Sequence, residues 1–122
     1  MGSEMCIRDS AGGLAAVGAR LDSGFDVVAD EVELGDRVEE ADLVVTAEGF
    51  LDAESFEGKV VGGVTDLAND LGKATLAIVG EAFDGMDTRV PTISLVERFG
   101  PDRAFRDTLA CIEEALAAHL SA

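Results

Sequence analysis

Apolar positions along this chain fall into short runs and helical stripes. Three runs rich in Val, Ile, Leu and Thr, at 42–46, 75–79 and 92–96, read as buried strands. Pro91 stands at the entrance of the third. Between the first two, Val60, Val61, Val64, Leu67, Ala68 and Leu71 form one stripe of a helix over 60–71, and Gly72 follows as its stop. Pro101 opens a last helix whose stripe, Phe105, Leu109, Ile112, Leu116 and Leu120, is expected to pack on the sheet. A strand, a helix and a strand in close succession make a parallel pair joined by a crossover. The fold class is therefore α/β, a Rossmann-like parallel sheet of about three strands with flanking helices. Upstream, the Ala- and Leu-rich stretch 12–21 predicts a helix, with Gly12, Gly13 and Gly18 serving close packing. Asp22-Ser23 offers an N-cap to a second helix carrying Phe25, Val28, Ala29 and Val32, although 26–29 also reads as a strand. Leu34 and Val38 predict a short third helix over 34–40.

Composition narrows the partners. The 122 residues set a prior of one domain, and 48% hydrophobic residues are enough to bury a core. A net charge of −16 and a pI near 4.1 exclude a basic footprint for nucleic acid and argue against anionic membrane surfaces. Thirteen Asp and Glu between Asp22 and Glu57 stand against Arg37 alone, the mark of a solvated acidic face. Cys6 and Cys111 are far apart and no metal-ligand spacing occurs, so a reduced, cytoplasmic setting is expected. No run is long enough to span a membrane, and residues 1–10 lack the apolar centre of a signal peptide. That decapeptide reads as a non-native leader. Residues 11–40 read as a helical segment leading in from another domain, and 41–122 as the α/β part. The oligomeric state is not legible.

The chemistry gathers between Thr46 and Lys59, expected as a loop leaving the carboxyl end of the first strand, where α/β proteins bind ligands. It carries Glu48, Asp52, Glu54, Ser55, Glu57 and Lys59. Lys59 is one of two lysines in the chain, and Gly58-Lys59 stands where the next helix opens. A helix N-terminus attracts anions, and a lysine there adds a point charge suited to phosphate. An aspartate nearby is suited to holding Mg²⁺ or taking a proton from a hydroxyl. Together they suit phosphoryl transfer. The plainer reading is a solvated acidic loop with one balancing lysine. A Walker A loop is excluded, because Ala53 and Val60 occupy the positions of its first glycine and its Ser/Thr, and no G-x-G-x-x-G occurs.

Thr46-Ala47-Glu48-Gly49-Phe50-Leu51-Asp52, then Glu54-Ser55, then Gly58-Lys59, resembles the characteristic motif of the bacterial two-domain glycerate kinases. Ala11-Gly12-Gly13-Leu14-Ala15 and Leu76-Ala77-Ile78-Val79-Gly80 resemble the family's segments on either side, so the likeness runs from about Ala11 onward. Four positions depart from it. Ala47 stands for glycine, Glu54 for glutamine, Val60 for a frequent proline and Phe50 for a frequent arginine. Glu48, Asp52 and Lys59 are kept.

The resemblance implies the C-terminal part of a two-domain enzyme that transfers the γ-phosphoryl of ATP, with Mg²⁺, to a hydroxyl of D-glycerate. It implies catalytic roles for Asp52, Lys59 and Glu48, and phosphate or substrate contacts by Ser55, Gly49 and Gly58. The fragment alone is then expected to be inactive. The alternative is a non-catalytic α/β domain that binds a small anion or regulates a partner. Glu81 and Asp84 after the second strand, and Arg98 after the third, are second-line candidates on the same edge, though a surface turn and a surface ion pair are the simpler roles. His119 and Cys111 read as a surface residue and a small packed hydrophobe.

Self-repulsion among 25 acids opposes folding, and salt screens it. Raising NaCl from about 0.1 M to about 1 M, which shortens the Debye length from about 10 Å to about 3 Å, should raise the urea midpoint of the chain. An unchanged midpoint would show that these charges are already dispersed.

Overall fold

The computed structural model describes residues 2–83, 85 and 89–122, of which 2–8 by backbone alone. Helix α1 spans Gly2–Ala16, α2 Gly24–Glu31 and α3 Leu34–Glu40. Strand β1 spans Leu43–Leu51 and is followed by a 3-10 turn, Ala53–Phe56, and by α4, Val60–Asp70. Then come β2 (Ala74–Ala82), β3 (Thr92–Ser94), α5 (Leu95–Phe99), α6 (Pro101–Arg106) and α7 (Thr108–Leu120). The three strands lie in the order β1-β2-β3, and both pairs are parallel, as expected.

The period-2 alternation of β2 sends side chains to both faces. Leu76 and Ile78 pack with Leu95, Ala104, Cys111 and Ala115 from α5–α7. Ala77 and Val79 pack with Leu51 and Val61 on the α4 side. The α4 stripe is the predicted one in part, since Val61, Val64 and Ala68 are buried while Val60 is exposed. α4 ends as predicted at Gly72 (φ 68°), where Lys73 N–H bonds to Ala68 O and Gly72 N–H to Asn69 O.

Four expectations need correction. The helix expected over 12–21 ends at Ala16, because Gly18 (φ 100°) closes it in the same way: Ala19 N–H bonds to Leu14 O and Gly18 N–H to Ala15 O. Gly18 is a stop and not a packing residue.

The first strand is longer than 42–46. It continues through Leu51, paired with Ala82, and takes half of the expected loop into the sheet. The third strand stops at Ser94, whose Oγ accepts from Glu97 N–H and starts α5. Arg98 therefore lies on a helix with its guanidinium over the Phe99 ring, and not at the strand's end.

The last helix is two helices that meet at Asp107. The break shifts the phase. Ala104, Cys111 and Ala115 face the core, Ile112 and Leu116 lie beside them, and Phe105, Leu109 and Leu120 are exposed. Asp84 lies outside the described residues.

Gly62 tests how tightly α4 is pressed onto the 3-10 turn. A Cβ there would lie 2.7 Å from Phe56 Cα and 2.8 Å from Ser55 O, both backbone atoms. Helix propensity favours alanine over glycine by about 1 kcal/mol. Overpacking against backbone costs about 1–3 kcal/mol. Gly62→Ala should therefore lower stability in urea denaturation, against its propensity; a stabilised variant would show that the turn moves freely.

Candidate active site

Glu48 is placed by β1. It pairs in register with Val79, the residue just before the glycine of β2 that lets the strands continue. A Cβ on Gly80 would fall 2.4 Å from Gly49 O, so no other residue fits there without a shift. Just beyond β1, Asp52 and Ser55 cap each other across the 3-10 turn. Asp52 Oδ1 accepts from Ser55 N–H at 3.1 Å, and Ser55 Oγ accepts from Asp52 N–H at 3.1 Å. The Ser55 hydroxyl also lies 3.3 Å from Asp52 Oδ1 and 3.4 Å from Phe50 O. Ser55 is 0% exposed, so its hydroxyl is taken up inside the chain and is not presented to the rim.

Gly58 (φ 86°) then turns the chain into α4, with Lys59 as its N-cap residue. No side chain caps this helix, so its first N–H groups keep their partial positive charge. Lys59 Nζ lies 4.0 Å from Glu48 Oε1 and 3.9 Å from Glu54 Oε2. The lysine side chain is 44% exposed and that of Glu48 23%. Long, partly solvated pairs of this kind are worth less than about 1 kcal/mol each. The ammonium is thus near both carboxylates and tightly held by neither. Glu48 Oε2 is buried and has no hydrogen-bond partner.

Glu48, Gly58 and Lys59 together line part of a cleft of about 560 Å³. Its walls are Phe25, Val28, Ala29 and Val32 from the α2 side and Val64 from α4. Gly49 lies instead in a second hollow of about 340 Å³ on the opposite face, with Gly80, Leu95 and Phe105. Asp52 and Ser55 line neither. Of the six residues singled out in the sequence, the structure brings Glu48, Gly58 and Lys59 to one place. Asp52 and Ser55 bond to each other across the 3-10 turn and line neither hollow, and Gly49 lies in the other one. Among the described residues, no group of three or more Asp, Glu, His or Cys is placed to share a metal ion. No helix among them is long and apolar enough to cross a membrane.

The sequence reading missed two contributors. Glu54 stands in the sequence as one of the loop's carboxylates and a departure from the motif, with no role assigned, yet it is Lys59's second neighbour. The α2 wall reads in the sequence as a helical stripe with no link to a site.

The glycerate kinase family model matches residues 9–117. The chain belongs to the glycerate kinase family. Among the relatives of this family member, a glycerate kinase of Haemophilus influenzae is 37% identical over 105 residues, covering 71% of the chain and 28% of that protein. Glycerate 2-kinase of Escherichia coli is 32% identical over 101 residues, covering 79% of the chain and 25% of that protein. An uncharacterised Synechocystis protein is 32% identical over 106 residues, covering 86% of the chain and 29% of its own length. The chain thus spans between 25% and 29% of the length of these relatives. No solved structure matches it.

The capping pair gives a direct test. Ser55→Ala removes the acceptor for Asp52 N–H and the donor to Asp52 Oδ1 in a buried setting. It should lower the folding free energy by about 1–3 kcal/mol, seen as a lower urea midpoint at unchanged slope. An unchanged midpoint would show that the turn is held by its flanking elements alone.

Proposed function

We propose that the parent polypeptide is an ATP-dependent kinase that phosphorylates D-glycerate, and that this chain carries its phosphate-handling end. The observation that supports this best is the placing of Lys59. It is an ammonium at the uncapped start of α4, at the carboxyl end of a parallel strand, loosely shared between two carboxylates and so ready to turn to a phosphate.

In this reading Lys59 neutralises charge on the transferring phosphoryl group. The first N–H groups of α4 do the same from the backbone. Asp52, its Oδ1 engaged by Ser55, offers its other carboxylate oxygen to the glycerate hydroxyl. As that hydroxyl oxygen bonds to the γ-phosphorus and the bond to the ADP oxygen breaks, Asp52 takes the hydroxyl proton. Ser55 acts by orienting Asp52. Gly58 provides the left-handed turn that brings Lys59 to the rim, and Gly49 turns its carbonyl into the space left open by Gly80.

Mg²⁺ is usually held by one or two carboxylates together with phosphate oxygens and water. Glu48, with a buried oxygen lacking a partner, fits one of those places, directly or through a metal-bound water. When bound, the ion would neutralise phosphate charge and align the β- and γ-phosphates.

The assay belongs to the intact parent enzyme. Lys59→Ala should cut kcat for MgATP-dependent glycerate phosphorylation by about a hundredfold or more. Near-normal turnover would refute the assignment. A wild-type parent that binds phosphate but transfers none would favour an anion-binding or regulatory domain instead.

A further inference from the structure

We infer that the cleft between α2 and α4 takes the nucleoside part of a nucleoside triphosphate, with the phosphates turned toward Lys59. This deepens the kinase reading and rests on Lys59 as the phosphate contact. At about 560 Å³ the cleft lies within the range of small-molecule sites. Its polar groups lie together, with Lys59 Nζ 4.0 Å from Glu48 Oε1 and Gly58 next in the chain, and the remaining wall is apolar.

α2 has no buried residue, and Val28 and Val32 are exposed. Its apolar side is therefore spent on the cleft and not on the core. Phe25 is seated as a fixed part of this wall. Its ring lies so close to α4 that a Cβ on Gly63 would come within 2.6 Å of it. Among the polar groups, Glu48 Oε2 is buried without a partner, a state that costs free energy until a donor or cation meets it.

Of the two substrates, only one matches this division. Glycerate carries oxygen on each of its three carbons and would leave the apolar wall unfilled. A nucleotide has a flat, largely apolar base at one end and a magnesium-bearing polyanion at the other. The base covers the wall, and the polyanion with its cation meets Lys59 and Glu48.

The test uses the 122-residue chain and isothermal titration calorimetry with two probes, MgATP and magnesium tripolyphosphate. MgATP should bind roughly tenfold tighter, the scale of burying one flat ring system. Val28→Trp and Val32→Trp, both at exposed positions, fill the cleft away from Lys59. Either should remove that advantage while tripolyphosphate binding stays within about twofold. Equal affinity of the two probes, no binding of MgATP, or MgATP binding unchanged in both variants would overturn the proposal. So would loss of both probes together in folded variants. The kinase reading fails separately, if Lys59→Ala leaves tripolyphosphate binding unchanged while the advantage of MgATP persists.

Discussion

The pairing of β1 with β2 all the way to Leu51 is the constraint on which the remaining geometry depends. It is possible because β2 has glycine at residue 80, where the Gly49 carbonyl occupies the space of a side chain. With the strands so joined, Glu48 is a strand residue with a fixed direction, on the face where α4 packs. A Glu48 in a loop would have no defined distance to Lys59. Sheet pairing thus converts a stretch of polar sequence into a placed carboxylate.

The electrostatics follow from that placement. In a chain of net charge −16, a single ammonium at the opening of a helix stands between Glu48 and Glu54. At about 4 Å and partly in water, neither contact is strong enough to hold it. The local balance is one positive charge to two negative ones, so an incoming polyanion gains most when it arrives with a cation of its own. That is the form in which nucleotides are used in phosphoryl transfer.

Much of the scaffold was legible because its signals are local. Ser23 caps α2 and Gly72 ends α4 where their chemistry places them, and the α4 stripe reads directly from spacing. What was not legible depends on distant partners. Thr46–Leu51 looks like loop because it is polar and holds a glycine; only β2 makes it strand. Gly18 looked like packing, although its left-handed turn was the commoner use of glycine at such a position. The break at Asp107 moved Phe105 and Leu109 out of the core stripe without any proline or glycine to announce it. Within the motif, exposure is set by the fold. The motif alone did not distinguish Ser55, buried and turned inward, from Lys59, open at the rim.

The Asp52–Ser55 pair has a kinetic meaning as well. Its members are three residues apart, so the turn belongs to the class of contacts that close fastest in a folding chain, on the order of 10–100 ns for small loops. Leu43 and Ala74, by contrast, meet only across the whole crossover. The corner that holds Asp52 can therefore take shape in the unfolded ensemble, ahead of the slower, long-range docking of β2 that fixes Glu48 in the sheet. Turn and sheet are assembled on separate clocks.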